Sequence, residues 1–355
     1  GAAGGAGQPR QRPDELIDAA ILATDRHPQA GRFSLDAFLA ERDLWRALLQ
    51  WLHHGHWTAR QIVEDLDDAV AAIDERLDTQ LDAILHHPAF QRLEASWRGL
   101  HFLIERASGQ PGVKLRVLNL AWPELVRDLD RAIEFDQSQF FNKVYSEEFG
   151  APGGEPYGVI LADYAFSHRQ ANDMQAIESL SHVAAAAFAP IVMGTAPSLF
   201  GLDDFAELAA PIDLARSFQQ IEYVKWRAFR DTEDARFIGL VLPRVLMRRP
   251  YRDNGRRGDT FPYVERVEGP DHSRYLWGNA VYALGSVLVC AFAESGWLAG
   301  IQGVERGVET AGLVTGLPQD NFAGDPQGIA PKYSTDVLIT DSDEKSLGEL
   351  GFMLL

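Results

Sequence analysis

Two groups of histidines are the first residues in this sequence that invite chemistry. His53, His54 and His56 stand in the run HHGH, and His86 and His87 form a second pair further along. Imidazole is a good zinc ligand, but a zinc site needs three or four ligands converging in space, usually with carboxylate or thiolate help. Both groups fall where a helical pattern stops. Histidines there interact favourably with the helix dipole and the last carbonyls, and that is how they are read. The glycine-rich run GVERGVETAGLVTGLP (303–318) has the texture of a phosphate cradle. It lacks the Lys and the Ser/Thr of a phosphate loop, and Glu305 and Glu309 would repel an anion, so a structural turn fits it better. Cys290, the one cysteine, lies in an apolar stretch and reads as a small buried thiol. Asp203, Asp204 and Glu207 read as a helix N-terminus, not as an acid–base pair. No Walker-type loop, dinucleotide fingerprint, GxSxG elbow or HExxH helix occurs. No catalytic residue, metal ligand or cofactor is therefore assigned.

The remaining concentration of chemistry is cationic. Arg244, Arg248, Arg249, Arg252, Arg256 and Arg257 fall within fourteen residues of a chain whose net charge is −18. So acidic a protein repels phosphate backbones, and nucleic acid is not expected as a partner. Guanidinium forks pair bidentately with carboxylates. The cluster is either a solvated loop or a contact to carboxylates, which belong to a partner or to another segment of the chain. It is expected to serve assembly and not folding.

These residues have to be positioned by ordinary elements. Residues 1–12 are rich in Gly, Ala, Gln and Arg and are expected to be disordered. Pro13, Asp14 and Glu15 then open a short amphipathic helix whose apolar stripe is Leu16, Ile17, Ala20 and Ile21. Helical patterns follow from Ser34 to about His53 and from Thr58 to His87. The latter repeats Ile62, Leu66, Val70, Ile73, Leu77, Leu81 and Ile84 at helical spacing. A further helix runs from Pro88 to a stop at Gly109. After Gly112 the texture changes: VKLRVLNL, GVILADY, PIVMG, FIGLVL and TDVLIT read as strands. Between them lie helices from Pro123, from Gln137, around Met174–Phe188 and over Gln219–Arg230. Leu276 to Ala293 is uncharged for eighteen residues, but it holds Asn279, Ser286 and two glycines, and reads as a helix buried in a soluble core. The expected fold is α/β (α+β): a disordered head (1–12), a helical N-terminal region (13–110) and a mixed-sheet domain (111–355). The lone cysteine and an opening without a basic or apolar leader point to the cytoplasm.

Four blocks in a fixed order carry a resemblance. They are LDAILHHPAFQRLEASWRGLHFLI (81–104), EYVKWRAFRDTEDARFIGLVLPRVLMRRPY (222–251), YLWGNAVYALGSVLVCAFAESGWLAGIQG (275–303) and TDVLITDSDEKSLGELGFMLL (335–355). Together they resemble the TssC/VipB (EvpB/ImpC) family, the large subunit of the contractile sheath of type VI secretion systems, over about residues 60 to 355. Two departures stand out. VERGVETA (304–311) replaces the family's glycine run, and the family continues past GFMLL through a strand-rich portion. The chain is accordingly expected to be a fragment or a naturally short paralogue. The resemblance implies a structural, non-enzymatic protein. Its implied partners are a small sheath subunit (TssB/VipA type), copies of itself, an inner tube protein and an AAA+ recycling unfoldase, without membrane insertion. It also implies that Leu16, Ile17 and Ile21 enter a groove on that unfoldase. His86, His87, Phe90, Gln91, Leu93, Glu94, Trp97 and Arg98 then form a helix-turn-helix corner, with Phe90 and Trp97 in the core and Glu94–Arg98 an i,i+4 pair. The alternative is a non-polymerising paralogue that acts as adaptor or regulator of the same apparatus.

Overall fold

The computed structural model describes residues 35–51, 58–209, 212–252, 261, 263–267, 272–303, 312–320 and 333–355. The proposed unfoldase helix, the HHGH run and Arg256 and Arg257 lie outside the described residues. The chain divides between Glu75 and Arg76 into two compact units.

Helices α1 (Leu35–Ala40) and α2 (Leu44–Trp51) precede the long α3 (Ala59–Leu85). A capping box starts α3: the Thr58 hydroxyl accepts from the Gln61 amide, and the Gln61 side chain accepts in return from the Thr58 amide. Helix α4 (Pro88–Ala107) follows after a tight corner, and Gly109, at φ +79°, turns the chain out of it.

The core of the second unit is a four-stranded sheet in the order β1 (Ile160–Phe166), β2 (Ile191–Thr195), β3 (Ile238–Leu242), β6 (Phe352–Leu354), with every neighbouring pair parallel. Parallel strands covered on both faces carry continuous apolar runs, which is why IVMG and IGLVL show so little alternation. Their side chains nevertheless alternate between two cores. Ile191, Met193, Leu240 and Leu242 face the cluster built on α6 (Ala171–Ala187), while Val192 and Val241 face the cluster built on α4 and α8 (Val281–Ser295). Helix α8 is buried nearly all round from Val281 to Val289, as a central helix must be when it is apolar on every side. A second, antiparallel pair joins β4 (Val245–Arg248) to β5 (Leu276–Gly278). Helices α5 (Trp122–Arg131), α7 (Val224–Arg230) and α9 (Asp341–Glu349) also belong to the described framework, with several shorter helical turns between them.

Three expectations change. VKLRVLNL joins no ladder among the described residues: Leu115, Val117 and Leu118 are exposed, and Lys114 and Arg116 pair with Glu155 and Glu148. β-propensity needs a neighbouring strand to act on, and here the segment has none. TDVLIT is not the final strand. Thr335 makes an isolated bridge to Val245, and Thr340 caps α9, so the last strand is FML beside β3. The apolar run from Leu276 is not one helix either, since LWG pairs with β4 before α8 begins.

Candidate functional site

The corner between α3 and α4 is built by its own sequence. His87 caps α4, its Nδ1 accepting from the Ala89 amide at 3.2 Å, and Pro88 takes the first helical position, where its missing N–H costs nothing. Ala95, Gly99 and Leu103, spaced by four, form the buried face of α4. Gly99 packs so closely on Tyr282 of α8 that an added Cβ would stand 2.3 Å from the ring. Residue 97 lies about 200° around the helix from both 95 and 99. Trp97 therefore points outward and is 66% exposed, with Leu93 at 56% and Phe90 at 36%. The expectation that Phe90 and Trp97 belong to the core is corrected: the small residues, not the aromatic ones, carry the helix–helix contact. Ile104 continues the same outer stripe.

Helix α3 displays a second apolar stripe. Leu66, Val70, Ile73, Leu77 and Ile84 are all exposed, and their 4-3-4-7 spacing is that of a coiled-coil seam. Exposed apolar surface of this regularity is characteristic of interaction sites.

Beneath the α4 stripe, the polar residues of the corner turn inward. Gln91 donates from Nε2 to the Ser273 carbonyl at 3.1 Å. Oε1 of Glu94 accepts from Arg98 Nε at 2.7 Å, the expected i,i+4 pair, and from Arg248 Nε at 2.9 Å. The guanidinium of Arg248 also forks onto Glu265, with Nη2 to Oε1 at 3.1 Å and Nη1 to Oε2, and it lies over the Tyr251 ring. His86 Nε2 stands 3.2 Å from the same Glu265 Oε1. Burial opposes the Arg248 charge, but hydrogen bonding and attraction from Glu265 and Glu94 outweigh it, so its pKa stands above the ordinary value.

The arginine cluster thus divides. Arg244 and Arg248 find carboxylates in other segments of their own chain. Arg244 bridges Asp336 (Nε–Oδ2 2.6 Å) and Asp204 (Nη2–Oδ2 2.7 Å), and Arg252 reaches Asp320 at 2.9 Å. Asp336 is held at a cost: its Oδ1 is buried without a partner among the described residues, and burial lifts its pKa to about 6 in spite of Arg244. Arg248, buried among Glu94 and Glu265, is part of the fold, contrary to the expectation that the whole cluster serves assembly and not folding. Arg249 is exposed. Asp203, Asp204 and Glu207 cap a short helical turn, Glu207 accepting from the amides of 203 and 204. Sequence reasoning misses Glu265 and Asp336: Glu265 stands in an irregular stretch and Asp336 in TDVLIT, which reads as a strand, and neither neighbours its arginine in sequence.

Among the described residues, no group of His, Cys, Asp and Glu is arranged to hold a metal ion, and no helix is long and apolar enough to cross a membrane. Residues 67–355 match the family model VipB, described as EvpB/VC_A0108, tail sheath N-terminal domain. The chain belongs to this tail sheath family. It is also 38% identical, over 295 residues, to the type VI secretion system sheath protein TssC1 of Pseudomonas aeruginosa. That match takes in 82% of this chain and 58% of the relative, so the chain spans little more than half of the protein it resembles.

Proposed function

We propose that this chain is a structural subunit of a type VI secretion sheath. In the cytoplasm it polymerises with a small sheath subunit around an inner tube and contracts to drive that tube outward. The observation that carries this reading is the pair of exposed apolar stripes on α3 and α4. A stripe with 3.5-residue spacing is buried by laying another helix along it, and a second subunit of the same sheath is the partner that this reading assigns to it. Leu16, Ile17 and Ile21 remain a proposal for the recycling AAA+ unfoldase: a short amphipathic helix is marginal alone and gains its order from a partner groove. Arg249, Arg256 and Arg257 remain candidates for contacts between acidic subunits. Negative-stain microscopy of the protein co-expressed with a small sheath subunit tests the proposal. Ordered tubes are expected. Discrete complexes without tubes would favour the non-polymerising adaptor, and absence of any complex would remove both readings.

A further inference from the structure

A docking stripe is useful only if its direction is fixed, and the two ends of α4 are fixed differently. From Gly99 onward, close apolar packing on Tyr282 and α8 sets the depth of the helix. The first three turns carry Phe90, Leu93 and Trp97 outward, and apart from Ala95 their inner side is polar. There Gln91 holds the Ser273 carbonyl and Glu94 holds Arg248. Arg248 is 7% exposed and sits at the end of β4, so it is no part of the exposed stripe itself. Yet four chain segments converge on it: the end of α3 through His86 and Glu265, α4 through Glu94, β4 through its own backbone, and residues 263–267 through Glu265. Glu265 is tied down independently, since its Oε2 accepts from the Tyr251 amide and its backbone amide donates to the Tyr251 carbonyl. The neighbouring Tyr263 hydroxyl donates to Asp82 of α3 at 2.7 Å.

We propose that Arg248 is a positioning residue for assembly: its fork on Glu94 and Glu265 sets the angle at which the start of α4 presents Phe90, Leu93 and Trp97 to the small sheath subunit. The inference rests on the docking reading above. The planar guanidinium suits the task because one rigid group reaches two carboxylates in fixed directions, which an ammonium does not do. The charges also allow a clean test. Removing Arg248 and Glu265 together leaves Glu94 still paired with Arg98, so no lone buried charge remains, and such paired replacements are often close to neutral for stability.

The experiment compares Arg248→Met/Glu265→Met with Trp97→Glu and with the unaltered chain, each titrated with the purified small sheath subunit by calorimetry. Hydrogen exchange of the free chains is followed in parallel. The double variant is expected to melt close to the unaltered chain. It should exchange the amides of 89–97 faster while those of β2 and α8 stay protected, and it should bind the small subunit about tenfold more weakly or worse. If the double variant is too unstable to measure, Glu94→Met removes the acceptor on α4 alone, leaves the Arg248–Glu265 fork in place, and is expected to show the same two changes. Unaltered affinity in these variants, with Trp97→Glu abolishing binding, would overturn the positioning role and leave the docking reading standing. Unaltered affinity in Trp97→Glu would remove the docking reading, and this inference with it.

Discussion

Replacing Arg248 by methionine, with Glu94 and Glu265 left in place, isolates what the buried guanidinium contributes to the fold. The Arg248 side chain is 7% exposed and that of Glu265 is 1% exposed, so the Glu265 carboxylate cannot turn to water when the cation goes, while Glu94 keeps Arg98. Four hydrogen bonds disappear: one to Glu94, two to Glu265 and one to the Arg249 carbonyl. Breaking a buried pair in this way costs about 3–5 kcal/mol, most of it the uncompensated charge left behind. For a unit the size of Arg76–Leu355, each kcal/mol moves the thermal midpoint by about 2 °C, so a fall of about 6–10 °C is expected. Arg249 supplies the control. It is the next residue and carries the same charge, but it is exposed, and Arg249→Met should stay within about 0.5 kcal/mol of the unaltered chain, a shift of about 1 °C. Differential scanning calorimetry of the two variants at neutral pH gives the answer. Equal, small shifts would show that the Arg248 network adds nothing to stability, and the buried-network argument would fail.

Other outcomes follow from single residues. Burial lifts Asp336 from its ordinary 3.8 to about 6, so between about pH 4 and 6 the folded chain binds the proton more readily than the unfolded one. The residue's contribution to stability therefore falls as pH rises through that window, by about 3 kcal/mol. The unaltered chain should lose stability relative to Asp336→Asn over the same range in denaturant titrations, and a constant difference would contradict the assignment. Gly99→Ala places a methyl against a Tyr282 ring whose hydroxyl is anchored 2.9 Å from Asp163, and should cost about 1–3 kcal/mol by thermal melting. A Leu16→Ser/Ile17→Ser variant should lose binding to the recycling unfoldase while still assembling with the small subunit, as read by calorimetry and co-sedimentation.

Much of this fold was readable because the decisive signals were local. PIVMG and FIGLVL announce buried parallel strands by being apolar without interruption, and HHP announces a corner because proline both ends one helix and starts the next. The i,i+4 pair Glu94–Arg98 follows from helical spacing alone. What stayed hidden depends on which side of a helix meets the core. Hydrophobicity alone sends Trp97 inward, but the deciding residue is Gly99, whose missing side chain lets α8 approach, and Trp97 then has to point away. TDVLIT has strand composition, yet Asp336 is drawn to Arg244 and Thr340 to the start of α9, while the shorter FML takes the place beside β3. The partners of Arg248 were equally out of reach, because Glu94 and Glu265 stand far from it in sequence and meet only through tertiary packing.

The claim on which the rest depends is that the apolar stripes of α3 and α4 are covered by a small sheath subunit. Sedimentation velocity of this chain mixed with an equal amount of that subunit tests it most directly, run beside a Val70→Glu/Leu77→Glu variant that places charge on the α3 stripe. Leu77 is 45% exposed and Val70 53% exposed, so the variant should fold as the unaltered chain does. The account predicts that the unaltered chain and the small subunit move together as one complex and that the variant and the small subunit separate. Independent boundaries for the unaltered pair at micromolar concentration, or a variant that still travels with the small subunit, would contradict it.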